Sequence, residues 1–148
     1  MTIVRETADR RGEGAALGNL GNAYFYLGEI PRAIHFFEQA LLIAREINNR
    51  QGEGIVLTHL GKAYAALGKT RHAIQFHEQA LLIAREIDDR QTEGVVLWNI
   101  SLVMDQLGQR GHSIQHAAQA LTILEQIEHW HAAEVRAQLS EWREQEDM

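Results

Sequence analysis

Cysteine is missing from this chain, and proline occurs once, at Pro31. Without cysteine there can be neither disulfides nor thiolate metal ligands, so a disulfide-stapled scaffold and a cysteine zinc site are excluded. A single proline leaves nearly the whole chain free of the residue that most strongly interrupts helices. The fold must therefore rest on its apolar core, and we expect a cytoplasmic protein.

Basic residues are in deficit, with 14 Lys and Arg against 20 Asp and Glu, and the whole acidic excess lies in residues 91–148. Nucleic acids and anionic membranes are bound by basic surfaces, so neither is expected as a partner. No apolar run approaches the roughly 20 residues that cross a bilayer. The opening stretch MTIVRETADR also lacks the apolar segment of a secretory signal.

The most informative feature that is present is an internal repeat. Shifting the chain by 40 residues aligns 11–50 with 51–90, and more than half of the aligned positions are identical. A looser third copy covers 91–130. A period of this length is typical of stacked helical units, each of which needs a neighbour to bury its apolar face.

Each copy is predicted to form two helices. Apolar residues recur at helical spacing through Leu17, Leu20, Tyr24 and Leu27, which predicts one packing stripe on the first helix. Gly28 then suits a helix C-terminus, and Pro31 suits the first turn of the second helix. The spacings Asn48–Gln51 and Asp88–Gln91 resemble capping boxes that start the following unit. Nothing predicts a strand.

The segment NLGNAYFYLGEIPRAIHFFEQAL resembles the tetratricopeptide repeat. The matching positions are Leu17, Leu20, Gly21, Tyr24, Gly28, Ala33, Phe37 and Ala40. The second copy has His77 in the aromatic position, and the third departs at Ser101, Met104, Ser113 and Ala117. The resemblance implies an all-α, right-handed solenoid of antiparallel helical hairpins. The 40-residue unit is similar to repeats of spindle-orientation adaptors, kinesin light chains and the sensor ends of bacterial signalling ATPases.

The domain organisation follows from this register. We expect one solenoid with repeats at 11–50, 51–90 and 91–130, and an amphipathic helix in 131–148 that caps the third repeat. Residues 1–10 align with the end of a second helix, which suggests a remnant of a preceding repeat. The alternative is a ragged polar lead-in. Either way the first repeat would have an open face.

The resemblance implies that the first helices line a concave groove. The expected peptide-binding residues there are Asn19, Asn22, Tyr26, His59, Lys62, Trp98, Asn99 and Leu102. Asparagine offers a donor and an acceptor to a peptide backbone, and exposed aromatic rings at Phe25, Tyr26 and Trp98 would anchor a ligand. The two-carboxylate clamp of chaperone-binding members is not expected, because Gly18, Trp98 and Leu102 stand where basic residues are needed.

No pattern in the sequence predicts an enzyme, a cofactor or a metal site. The glycines recur at helix boundaries rather than in a phosphate loop, and no serine has a recognisable His and Asp partner pattern. His112 and His116 are four residues apart but lack a third ligand. We therefore predict a protein–protein interaction module with a protein or peptide partner. The alternative is a self-assembling unit that forms a homo-oligomer through its open N-terminal end.

Overall fold

A computed structural model describes the backbone of residues 3–147 and the side chains of residues 6–147. This part of the chain forms seven α-helices and contains no strand. The predicted all-α solenoid is confirmed, since each helix packs mainly against its neighbours in sequence to give hairpins α1–α2, α3–α4 and α5–α6, followed by α7. The helices are α1 (Ile3–Tyr26), α2 (Ile30–Glu46), α3 (Arg50–Ala66), α4 (Thr70–Glu86), α5 (Arg90–Gln106), α6 (Arg110–Gln126) and α7 (His131–Glu146).

Two kinds of turn connect the helices, and both need a left-handed residue. Within the hairpins this residue is Gly28, Gly68 or Gly108, with φ of 83°, 77° and 76°. Between units it is Asn48, Asp88 or Glu128, with φ of 56°, 57° and 54°. Glycine has no Cβ to clash there, and Asn and Asp tolerate the conformation better than most residues.

The helix caps lie one residue later than the sequence pattern predicted. Asn48 and Asp88 close the preceding helices, so the caps fall on Asn49 and Asp89. The Asn49 side chain accepts a hydrogen bond from the backbone N–H of Gly52, and Asp89 accepts one from Thr92, each at 3.1 Å. Each cap satisfies one of the free N–H groups at its helix start.

No turn separates the described residues 3–10 from the first repeat. Residues 3–10 instead continue directly into α1 as one helix. The position equivalent to left-handed Asn48 and Asp88 is Ala8, and alanine has the highest helix propensity and no side chain that favours the turn. Met1, Thr2 and Met148 lie outside the described residues.

Part-buried ion pairs join successive units and fix the first helices against the turns. Glu53 accepts hydrogen bonds from Arg45 Nε at 3.1 Å and from Arg50 Nη1 at 2.9 Å. The next unit repeats this arrangement with Arg85, Arg90 and Glu93. Because the two glutamates are buried, the arginines satisfy charges that would otherwise be costly to remove from water.

One face of α1 is not covered by another described helix, so the packing stripe predicted on this helix is only partly buried. Leu20 is 44% exposed, whereas the equivalent Leu60 and Ile100 are 0% and 1% exposed. The stripe position Leu27 is 71% exposed, and its equivalents Leu67 and Leu107 are each 40% exposed, so this position is not buried in any unit. Leu60 and Ile100 are covered because α2 packs against α3 and α4 against α5, while no described helix precedes α1.

Candidate functional site

The side of the molecule formed by α1, α3 and α5, which we call the first-helix face, carries the main clefts. A cleft of about 260 Å³ lies between α1 and α3 and is floored by the end of α2. A second, of about 230 Å³, lies between α3 and α5 and is floored by His77 of α4. We call them the α1–α3 cleft and the α3–α5 cleft. A third, of about 320 Å³, lies between the N-terminal halves of α3 and α5.

Most of the predicted groove residues lie along these clefts. Asn19, Asn22 and His59 line the α1–α3 cleft, while Lys62, Asn99 and Leu102 line the α3–α5 cleft. The exposed Tyr26 borders a small crevice between them. Seven of the eight predicted side chains therefore share one face. Whether they bind a ligand stays a prediction.

The prediction that Trp98 is an exposed anchor is wrong. Its side chain is 4% exposed, and its ring centroid lies 6.2 Å from that of Trp142 on α7. Helix α7 buries Ala132, Val135, Leu139 and Trp142, and these residues form one apolar cluster with Trp98. Helix α7 thus covers the part of α5 that carries Trp98.

His59 lies where the clefts of the first-helix face meet, because it lines the α1–α3 cleft, the third cleft and the central crevice. Its ring stacks on Phe37 of α2, with centroids 5.2 Å apart and planes 13° apart. Burial, with a smaller contribution from Lys62, lowers the pKa of His59 to about 4. The imidazole is therefore neutral at pH 7 and can both donate and accept a hydrogen bond.

His77 replaces the aromatic residue of the repeat pattern and is 1% exposed. A Cβ on Gly61 would lie 2.4 Å from its ring, just as one on Gly21 would lie 2.5 Å from the ring of Phe37. The glycine of α3 thus lets the ring lie flat against the helix. Burial and the nearby Lys62 lower the pKa of His77 to about 4, so this ring too is neutral at pH 7.

Two buried polar atoms, from residues that line the α3–α5 cleft, have no hydrogen-bond partner within the described part of the chain. They are Nδ1 of His77 and Nδ2 of Asn99. An unsatisfied buried polar group costs about 1–3 kcal/mol, so such groups are uncommon in folded proteins. Sequence reasoning missed His77 as a cleft residue. The available signal was its departure from the aromatic pattern.

Lys62 carries the positive charge of the α3–α5 cleft. Its Nζ lies 5.6 Å from the ring centroid of Phe25, which is half-buried rather than exposed as expected. Among residues 6–147, no carboxylate lies within 4 Å of the Lys62 amine. The cleft lining contains no acidic residue either.

The remaining histidines do not assemble into a reactive or metal-binding cluster in the part of the chain that the structure describes. No three His, Asp or Glu side chains meet there in a way that could hold a metal ion. The His116 ring donates from Nδ1 to the carbonyl oxygen of His112 at 2.8 Å, so this pair is engaged along its own helix. Among the described helices, none is long and apolar enough to pass through a membrane.

Similarity to known proteins supports the fold. The tetratricopeptide domain of Arabidopsis FLU shares it with a TM-score of 0.75 and 21% sequence identity, over 79% of this chain and 98% of that one. Aspartyl phosphate phosphatase F from Bacillus subtilis shares it with a TM-score of 0.77 and 18% identity, over 80% of this chain and 31% of that one. The TPR2AB domain of yeast Sti1, in a complex with pHSP90, shares it with a TM-score of 0.78 and 16% identity, over 92% of this chain and 48% of that one. At these identities the likeness shows the fold alone. The chain spans less than a third of the Bacillus protein and about half of the Sti1 domain.

No curated protein sequence is similar enough to this chain to count as a relative. The tetratricopeptide repeat family, in contrast, matches residues 12–86 and again residues 56–126, which together cover most of the chain. The hairpins, the glycine turns and the close approach at Gly21 and Gly61 occur at the repeat positions of that family. This chain belongs to the tetratricopeptide repeat family.

Proposed function

We propose that this chain is an interaction module that binds an extended peptide or a helix of a partner protein on the first-helix face. The observation that carries this proposal is the pair of neighbouring clefts, lined by Asn19 and Asn22 at one end and by Lys62 and Asn99 at the other. Family membership points to the same class of function, and the Sti1 neighbour forms a complex with pHSP90.

The chemistry of the clefts fits a polypeptide ligand. Asparagine amides can pair with both the N–H and the C=O groups of a ligand backbone, which gives affinity with little dependence on side chains. The exposed ring of Tyr26 and the half-exposed Leu102 offer apolar contacts beside them. Among the described residues that line the two clefts, Arg11 and Lys62 are the only positively charged ones. A nucleic acid needs a more basic surface than this, so a protein ligand is the better fit.

The proposal places this module in the cytoplasm, since a chain without cysteine shows no adaptation to an oxidising compartment. It assigns the chain a scaffold role in signalling rather than a catalytic one. The neutral imidazoles of His59 and His77 serve here as hydrogen-bonding groups, and the described residues that line the α1–α3 and α3–α5 clefts include no serine, threonine or cysteine.

The test uses peptides that are selected from a display library because they bind the wild-type chain. The double substitution Asn19→Ala and Asn22→Ala should weaken their binding at least about tenfold, because two amide contacts on α1 are lost. Binding is measured by calorimetry, with helicity checked by circular dichroism. The matched control is Gln75→Ala with Glu78→Ala on the exposed side of α4, which should change nothing. A loss of binding in the control but not in the α1 variant would contradict the proposal.

A second candidate function, self-association through α1, is favoured by the uncovered stripe around Leu20. In the later units the equivalent leucine and isoleucine are fully buried by a helix, so the same stripe on α1 is shaped to pack against one. A second copy of the chain could supply that helix through an isologous contact.

Light scattering over a range of protein concentrations tests self-association. If it occurs, the average mass rises with concentration, and Leu20→Glu reduces it to the monomer mass, because a charge is then buried in the contact. Leu42→Glu, at an exposed leucine of α2, is the matched control and should leave the mass unchanged. A wild-type mass that stays monomeric at every concentration would rule this candidate out.

A further inference from the structure

The uncovered face of α1 has the residues of one half of a junction between repeat units. Four exposed residues lie along it at helical spacing, and we call them the open stripe: Glu13, Ala16, Leu20 and Ala23. The equivalent residues are buried in both later units, as Glu53, Val56, Leu60 and Ala63 of α3 and Glu93, Val96, Ile100 and Val103 of α5. The same face is therefore covered twice in this molecule and left open once.

The helices that cover this face in the later units have closely similar chemistry. Helix α2 lies against α3, and α4 lies against α5. Leu41 of α2 shares one buried apolar cluster with Val56 and Leu60. Leu81 of α4, the equivalent of Leu41, packs on the part of that cluster that holds Ile100. A leucine of the covering helix thus closes the apolar part of the junction both times.

An arginine of the covering helix closes the polar end of the junction. It follows the leucine by four residues, which places it one turn further along the same side of the helix. Arg45 donates from Nε to Glu53, and Arg85 donates in the same way to Glu93, each at 3.1 Å. Each glutamate also accepts a hydrogen bond from the arginine three residues before it. With two arginines against them, the glutamate side chains are only 10% and 12% exposed.

Glu13 has only half of this arrangement among residues 6–147. Its Oε2 accepts a hydrogen bond from Arg10 at 2.7 Å, its Oε1 has no partner there, and its side chain is 54% exposed. The residue equivalent to Arg45 and Arg85 is Arg5, but it lies on α1 itself, because residues 3–26 form one helix. The open stripe therefore has room for a leucine and for one more arginine, both supplied by a helix from elsewhere.

The described helices of a folded second copy do not offer this combination. Its α2 and α4 carry the arginine, but α3 and α5 already lie against them. Its α6 carries Glu125 at the equivalent position, paired with Arg136 of α7, and this glutamate would meet Glu13 as a like charge. Its α7 has its apolar residues buried against the rest of the chain. A helix from another protein fits the open stripe better.

We propose that the open stripe docks an amphipathic helix of a partner protein, in which a leucine covers Leu20 and an arginine four residues later binds Glu13. The inference goes beyond the peptide-binding clefts, because it concerns another side of α1. It also differs from self-association, because the occupant is a helix with the chemistry of α2 and α4 and not a second α1.

A synthetic peptide with the sequence of residues 70–87 is the probe, since that helix covers the same face of α5. Binding is measured by NMR titration of the isotope-labelled chain, and we expect saturable shifts centred on residues 13–23. Leu20→Glu should weaken the binding at least about tenfold, because a charge is then buried in the contact. Leu42→Glu, at an exposed leucine of α2, is the matched control and should bind as the wild type does. Circular dichroism checks that each variant is folded.

A double-mutant cycle tests the ion pair. Glu13→Gln in the chain and Arg85→Ala in the peptide should each weaken binding about threefold to tenfold. The two changes together should cost no more than one of them, because they remove the same contact. Glu78→Gln, on the exposed side of α4, is the control for the loss of a carboxylate and should leave the affinity unchanged.

Four results would overturn the proposal. They are an absence of saturable shifts up to about 1 mM peptide, an unchanged affinity in Leu20→Glu, fully additive losses in the cycle, and a chain that dimerises through Leu20 without binding the peptide. The last result would assign the face to a second copy. Peptides selected for the clefts should bind Leu20→Glu as they bind the wild type, so the proposed function is tested separately.

Discussion

Replacing Trp98 by alanine is expected to lower the free energy of unfolding by about 3–5 kcal/mol. The indole is almost fully buried in the cluster that joins α5, α6 and α7, and it lies against Trp142. Its removal leaves a cavity that the neighbouring helices can fill only in part. Urea denaturation followed by circular dichroism measures the change without relying on tryptophan fluorescence.

Trp130 provides the matched control because it is the same residue type in an exposed position. It lies at the turn between α6 and α7 and is 75% exposed. Trp130→Ala should change the unfolding free energy by no more than about 0.5 kcal/mol. A loss for Trp98→Ala as small as the one expected for Trp130→Ala would contradict the burial of Trp98, and would restore it as a candidate ligand contact.

Leu60→Ala is expected to destabilise the protein by about 2–5 kcal/mol, whereas Leu20→Ala should cost about 1 kcal/mol or less. The two leucines occupy the same position in consecutive units and differ in their surroundings. Leu60 is fully buried in the core shared by α2 and α3, while Leu20 is 44% exposed on the open side of α1. Parallel denaturation curves at low protein concentration measure both costs.

This pair needs no further control, since each leucine is the reference for the other. The comparison also bears on self-association. If a second copy covers α1, the cost of Leu20→Ala rises with protein concentration, because the contact is then part of the folded state. A Leu20→Ala cost equal to that of Leu60→Ala in the monomer would mean that α1 is covered within one chain.

The helices and their stacking were predictable because local spacing defines them. The apolar stripe, the glycines at Gly28, Gly68 and Gly108 and the 40-residue period each depend on residues that are near one another in the chain. Their conformations follow from hydrogen bonds and steric limits over a few residues. The same local reasoning misplaced the caps by one residue, since it could not tell that Asn48 ends one helix while Asn49 begins the next.

The candidate site was less predictable because equivalent repeat positions carry different residues in different surroundings. Gly18, Thr58 and Trp98 share one position of the first helix, yet Thr58 is buried with its hydroxyl donating to Gly54, and Trp98 is buried by α7. The importance of His77 was also hidden. A histidine in an aromatic position fills space in a sequence pattern, and only the structure shows that its Nδ1 is buried without a hydrogen-bond partner among the described residues.

By itself, the sequence determined that this protein is a row of helical hairpins, because periodicity and turn residues act over distances of a few residues. The tertiary structure decided which faces of those helices are left for a partner. A side chain such as Trp98 or Leu20 is buried or exposed according to whether another helix lies against it, and α7 covers the first while no described helix covers the second. That outcome depends on contacts between residues far apart in the chain, which a local pattern does not contain.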